Sequence, residues 1–212
     1  EGDPAEEILR VAKEIAADLI VVGSHGSGGI RRFLLGSVSD RVFEYAPCSV
    51  LITKPPADGK APAVFPCSNE QWRILLAFDD SPPAREAVKL CASLPLAPDT
   101  KVKALTVMPM IRMYHQDVRQ QLSWVWQEKK ERARMALDWL NAEIDWKGVQ
   151  LSTELIESGD VAQSVLDNAD ALCADLIIVG NKSRSAFERF LLGSITARIA
   201  HHAHCSVLSV RD

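Results

Sequence analysis

Short apolar runs alternate with longer stretches of helical spacing through most of this 212-residue chain. Arg73–Phe78 is mostly apolar and ends in Asp79-Asp80-Ser81, after which Pro82-Pro83 leads into Ala84–Leu94 with helical spacing. That order predicts strand, loop and helix. Lys101–Met108 alternates and then runs apolar into Pro109, as a second buried strand does when a proline that cannot donate to the ladder stands just past its end. Between about Asp117 and Ile144, the residues Val118, Leu122, Trp126, Ala133, Leu137, Leu140 and Ile144 recur at helical intervals with charges between them. One long amphipathic helix is expected there. Gln150–Glu157, Asp175–Val179 and Cys205–Val210 read as strands, and Ala162–Ala174 and Ser194–His202 as helices. Strict alternation of the two predicts an α/β fold with an open parallel five-stranded sheet, helices on both faces and right-handed crossovers.

The last part of this pattern occurs twice. Residues 1–53 laid on 158–210 without a gap are identical at 23 of 53 positions, including Gly2-Asp3, Asp18-Leu19-Ile20, Phe33–Ser37 and Cys48–Leu51. A match of that length and density is the mark of an internal duplication. The first copy supplies two strands, Asp18–Val22 and Ser49–Thr53, with helices near Pro4–Ala16 and Ser37–Tyr45. The expected organisation is therefore the carboxyl-terminal half of one domain in residues 1–54, a linker in 55–71 rich in Pro, Ala, Gly and Lys, and a complete domain in 72–212. A full first copy would need roughly 85–90 further residues ahead of Glu1. Two strands and two helices expose an apolar edge, so the half copy is expected to be completed by preceding sequence or by association.

Composition narrows the function classes. A net charge of −4 and a pI near 5.8 give no basic footprint for nucleic acid. No apolar run reaches the roughly 18 residues of a membrane span, and five cysteines without a CxxC pair suit a reducing, cytoplasmic setting. Cys48 and Cys205 stand at matching positions before an apolar run and read as packing residues.

The chemistry-bearing pattern follows the fourth strand of each copy. Gly23-Ser-His-Gly26 is followed by Gly36-Ser37, and Gly180-Asn-Lys-Ser183 by Gly193-Ser194. Glycines let main-chain amides turn toward phosphate, and a helix opening at Ser37 or Ser194 adds unpaired N–H groups and the positive end of its dipole. The spacing is neither a Walker A loop nor a Gly-x-Gly-x-x-Gly dinucleotide turn. A glycine and a serine before a helix are also ordinary capping punctuation.

With the motif G-x2-G-x9-G-(S/T) intact in GSHGSGGIRRFLLGS, the chain resembles the universal stress proteins over nearly all of its length except the linker. The resemblance implies strand order 3-2-1-4-5 and an adenine nucleotide, ATP or a relative with or without magnesium, across the carboxyl ends of strands 1 and 4. A general rule for open α/β sheets places ligands there too. By position, Ala77, Phe78 and Asp79 would meet adenine and ribose, Val107 the face of the base, and Gly180, Ser183, Gly193, Ser194, Ile195 and Thr196 the phosphates. In the first copy the matching half-site is Gly23, Gly26, Gly36, Ser37, Val38 and Ser39. Ser183 departs from the motif's second glycine and puts a side chain where phosphate would approach. The resemblance implies a cytoplasmic, stress-response regulatory protein, with at most slow ATP hydrolysis or autophosphorylation and no catalytic residues. It also implies a homo-oligomer, or a pseudo-dimer made within the chain by the terminal strands Ser49–Thr53 and Ser206–Val210. The alternative from another class is an interaction module of the same fold that acts by pairing and binds no nucleotide.

Other residues invite chemistry and have plainer readings. His201, His202, His204 and Cys205 could be drawn as a metal site, but the other copy has Glu44, Tyr45, Pro47 and Cys48 there, and histidine suits a helix carboxyl end. His25 has no carboxylate or nucleophile near it in sequence. Asp80 is expected to cap the helix that follows. Trp124, Trp126, Trp139 and Trp146, all placed on the long helix, exceed what one buried stripe holds.

Overall fold

The computed structural model describes residues 2–24, 35–55, 71–110, 116–181 and 194–211, with side chains in the long helix described from Trp124 onward. Its elements are α1 (Pro4–Glu14), β1 (Leu19–Gly23), α2 (Ser37–Tyr45), β2 (Ser49–Thr53), β3 (Arg73–Ala77), α3 (Pro82–Ser93), β4 (Lys101–Pro109), α4 (Gln116–Glu143), β5 (Gln150–Ser158), α5 (Val161–Leu172), β6 (Leu176–Gly180), α6 (Ser194–His202) and β7 (Ser206–Val210). Local chemistry sets the ends. Asp3 caps α1 by accepting from Ala5 N at 2.9 Å and Glu6 N at 3.2 Å, with Pro4 in the first turn. Asp160, at the matching place, caps α5 by accepting from Gln163 N at 3.0 Å. Both helices run into a left-handed residue that is not glycine, Ala16 at φ 48° and Cys173 at φ 49°.

Two expectations at helix ends are corrected. Asp80 does not cap α3; it sits at φ 59° and pairs with Arg85, whose NH2 is 2.7 Å from its Oδ1. Ser81 takes the cap position, and Asp79 braces it by accepting from Ser81 N at 3.1 Å. Trp146 lies past the end of α4 rather than on it, because the helix stops at Glu143. The Trp146 indole turns back and donates from Nε1 to Leu140 O at 2.9 Å.

The strands form one seven-stranded sheet in the order β1-β2-β7-β6-β3-β4-β5. Strands β5-β4-β3-β6-β7 are parallel throughout, which is the order 3-2-1-4-5 counted within residues 72–212. Strands β1 and β2 are parallel to each other, and β2 meets β7 antiparallel. Apolar side chains alternate between the two faces and bury separate cores. Ile20, Val50, Ile52, Leu75, Leu105, Ile177 and Val207 pack with Ala12, Phe43, Val165 and Ile199 of α1, α2, α5 and α6. Leu51, Ile74, Leu76, Ile178 and Leu208 pack with Ala87, Val88, Leu137 and Leu140 of α3 and α4.

Leu51 stands directly opposite Leu208, and a residue in the first copy matches the one 157 positions later, so the β2–β7 junction is a local two-fold. Polar contacts obey it. Lys54 N donates to Ser206 Oγ at 3.2 Å, and Arg211 N to Ser49 Oγ at 3.1 Å. Lys54 Nζ reaches the carboxyl end of α6, donating to Ala200 O at 2.8 Å and Ala203 O at 2.6 Å. Arg211 reaches the end of α2, donating from NH2 to Glu44 O at 3.0 Å and from NH1 to Ala46 O. Each copy thus places a cation on the last carbonyls of the other's helix, where the dipole favours it. Burial lowers the Lys54 amine from 10.5 to about 8, with the nearby Cys205 acting in the opposite direction.

Candidate functional site

The carboxyl ends of β3, β4 and β6 and the helices α5 and α6 enclose a cavity of about 400 Å³. Its walls are Ala77, Phe78, Asp79, Leu105, Val107, Val161, Val165, Val179, Gly180, Ser194, Ile195, Thr196 and Ile199. It falls where neighbouring strands β3 and β6 send their connections to opposite faces of the sheet, the switch point at which open α/β folds hold ligands. The volume is within the range of small-molecule pockets.

Local contacts fix the mouth. Phe78 N donates to Leu105 O at 2.9 Å, and Thr106 Oγ1 donates to Phe78 O at 2.7 Å, so the exit of β3 is tied to β4. The Phe78 ring is buried with the α3 and α4 core. What Phe78 offers the cavity is therefore main chain. Asp79 is exposed and oriented by its bond to Ser81. On the far wall, the first N–H groups of α6 have no partner within the helix, which makes the Ser194–Thr196 turn a donor end suited to an anion. Arg198 of α6 clamps Asp160 at the head of α5 with contacts of 3.0 and 2.9 Å. That guanidinium, with the Gln163 amide, holds the Asp160 carboxyl below its usual range.

The structure brings together Ala77, Phe78, Asp79, Val107, Gly180, Ser194, Ile195 and Thr196 in one cavity. Ser183 and Gly193 lie outside the described residues, as do Gly26 and His25 in the first copy. The sequence reading missed Leu105, Val161, Val165, Val179 and Ile199. Leu105 and Val179 lie on β4 and β6, and Val161, Val165 and Ile199 on the apolar stripes of α5 and α6, so in a linear reading all five look like core.

Gly180 has a packing reason beyond the motif. A Cβ there would fall 2.5 Å from Ala84 N and 2.6 Å from the carbonyl carbon of Pro83, so α3 can seat its first turn on β6 only over a glycine. Gly36 caps α2 at φ −67°, a conformation open to any residue, so a positive φ does not explain it.

In the first copy, Gly23 and Ser37 are exposed, Gly36 and Val38 are partly buried, and Ser39 is buried. Ser39 Oγ donates to Gly23 O at 2.6 Å, and Gly36 N donates to Ser24 O at 2.8 Å, which draws the start of α2 onto the end of β1.

Elsewhere, His201 Nε2 lies 2.9 Å from Asp40 Oδ1, linking α6 to α2, and His204 Nε2 lies 3.8 Å from Asp170 Oδ2. Among the described residues no three His, Cys, Asp or Glu side chains converge on a metal-sized site. Trp139 stacks under Arg85 with the guanidinium carbon 4.7 Å from the ring centre, while Trp124 is 65% exposed. No helix among the described residues is long and apolar enough to cross a membrane.

Comparison with known proteins agrees with this architecture. Residues 1–54 and 72–211 match the sequence profile described as the universal stress protein family. A universal stress protein of Mycolicibacterium smegmatis is 27% identical over 202 residues, covering 92% of this chain and 62% of that protein. A universal stress protein of Methanocaldococcus jannaschii is 52% identical over 56 residues, covering 26% of this chain. That match spans about a third of the archaeal protein's length, 33%. Among solved structures, a universal stress protein from Archaeoglobus fulgidus superposes with a TM-score of 0.59 at 18% identity, over 99% of this chain and 66% of that one. At that identity the likeness speaks for the fold.

Proposed function

The chain belongs to the universal stress protein family, and from that premise we propose that it is a stress-response regulator that binds an adenine nucleotide between β3, β4, α5 and α6. The observation that carries this reading is the cavity itself. Its inner walls are aliphatic, from Leu105, Val107, Val161, Val165 and Ile199, and suit the faces of a purine. Its rim sets a carboxylate, Asp79, on one side and the amide-rich start of α6 on the other. A nucleotide has that polarity: an apolar base, hydroxyls that donate to a carboxylate, and phosphates that accept from amides. Val107 would lie against the base, Asp79 would accept from a ribose hydroxyl, and Ser194, Ile195 and Thr196 would hold phosphate. Magnesium would enter with the phosphates of ATP. The proposed division is a half domain in 1–54, a linker in 55–71 and a full domain in 72–212, acting in the cytoplasm.

Among the described residues of the cavity walls no orienting base stands next to a nucleophile, and the reading is a binding switch in which any hydrolysis or autophosphorylation is slow. The test is a calorimetric titration with ATP and magnesium, run beside Val107→Trp, which fills the base pocket. One nucleotide bound per chain, lost in the variant, is the expected result. No heat at millimolar ATP in the wild type would turn the reading toward an interaction module, for which the β2–β7 pairing is the favouring observation.

A further inference from the structure

Two residues, Asp79 and Asp80, bridge β3 and α3, and the chain is pinned on either side of them. Upstream, Phe78 N donates to Leu105 O at 2.9 Å and Phe78 O accepts from Thr106 Oγ1 at 2.7 Å. Downstream, Pro82 and Pro83 open α3, and its backbone sits so closely on Gly180 that a Cβ there would fall 2.5 Å from Ala84 N. Asp80 makes the connection at φ 59°, a conformation that strains a side chain and suits glycine.

Ala16 and Cys173 hold the same conformation with main-chain bonds at the ends of α1 and α5. At Asp80 a side chain supplies the hold. Arg85, in the first turns of α3, donates from Nε to Asp80 Oδ1 at 2.8 Å, with its NH2 2.7 Å from the same oxygen. An ion pair whose side chains are 43% and 42% exposed is weak by itself. This one is backed by Trp139 of α4, whose ring centre lies 4.7 Å from the guanidinium carbon and whose own packing is against the α3–α4 core.

The turn decides where Asp79 points. The Asp79 carboxylate lines the cavity, and its Oδ1 accepts from Ser81 N at 3.1 Å and Ser81 Oγ at 2.5 Å, contacts made while Asp80 folds Ser81 back over it. We propose that Arg85, stacked on Trp139, is a positioning residue for the cavity: it holds Asp80 in the left-handed turn that presents the Asp79 carboxylate to the ribose hydroxyls of a bound nucleotide. Arg85 is not among the cavity walls and acts through Asp80 and Asp79. Its effect on binding rests on the nucleotide proposed above, whereas its hold on the turn does not.

The experiment titrates ATP and 2′,3′-dideoxy-ATP by calorimetry into wild type, Arg85→Met, and Arg85→Met combined with Asp80→Gly, beside crystal structures of the ligand-free proteins. Methionine keeps an apolar chain over Trp139 without donors, and glycine takes the left-handed turn without a brace. Wild type is expected to prefer ATP by about tenfold or more, as a hydroxyl bonded to a carboxylate gives. Arg85→Met should lose that preference with its dideoxy-ATP affinity unchanged, and the added glycine should restore it. In ligand-free Arg85→Met, Asp80 is expected to leave positive φ and Asp79 to leave the cavity rim. Equal binding of the two nucleotides by wild type, a preference that survives in Arg85→Met or is not restored by glycine, or an unmoved Asp79 overturns the proposal. Wild type that binds neither nucleotide overturns the proposed ligand instead, and an Asp79 displaced in ligand-free Arg85→Met and returned by glycine then upholds the brace.

Discussion

Gly180 shows at the residue scale why one position can satisfy two demands. It lines the candidate pocket and lets α3 lie directly on β6, and the second demand is the stricter because backbone atoms stand 2.5 and 2.6 Å from where a Cβ would be. Gly180→Ala is expected to cost about 1–3 kcal/mol through the shift it forces on α3. A urea midpoint unchanged from wild type would count against this packing role. Ala16 presents the opposite case, a side chain held at φ 48° where glycine carries no steric penalty. Ala16→Gly should raise stability by up to about 1 kcal/mol, read as a higher melting temperature; a lower one would mean that the loss of backbone freedom on folding outweighs the relief. Both features lay beyond the sequence. The glycine was visible as part of a loop motif, but the helix it accommodates comes from residues almost a hundred positions earlier, and nothing in the residue types at 16 or 173 announces a left-handed turn.

Among the elements, α6 joins the cavity to the β2–β7 junction. Its first turn lines the cavity, while its last carbonyls receive Lys54 from the other copy. The Lys54 amine titrates near 8 in the folded chain against about 10.5 unfolded. Between those values the unfolded chain holds the proton that the folded chain has released, so stability from this group rises with pH across that window and is flat below it. The urea midpoint of wild type should therefore gain on that of Lys54→Met between pH 8 and 10, measured side by side. A difference that shrinks over the same range would mean that the two carbonyls keep the amine charged. The periodicity of the sequence was enough to find every strand and helix core among the described residues, with ends displaced by a residue or two. Trp146 escaped it because a tryptophan that folds back on its own helix has the same spacing as one that continues the helix. The cation latches escaped it because each joins residues about 150 positions apart.

For the whole molecule, the internal match of residues 1–53 with 158–210 accounts for the symmetry of the β2–β7 junction. Two similar terminal strands meet about a local two-fold at Leu51 and Leu208, and Lys54 and Arg211 repeat one contact in both directions. The internal match between residues 1–53 and 158–210 made the matching strands and helices legible, and the family resemblance carried the strand order. Pairing of Ser49–Thr53 with Ser206–Val210 was expected from the resemblance alone, and its antiparallel sense came only with the fold, since no local pattern fixes how two matching strands will meet. The cavity was legible at its polar rim, where motif residues stand, and at Val107 through the resemblance, and not in Leu105, Val161, Val165, Val179 and Ile199, which look like core in a linear reading. If this cavity receives the base of an adenine nucleotide, photolabelling with 8-azido-ATP should mark its walls. Label is expected on peptides containing Ala77–Asp79 or Leu105–Val107, suppressed by excess ATP. Label that ATP does not suppress, or that falls on peptides remote from the ends of β3 and β4, would contradict it.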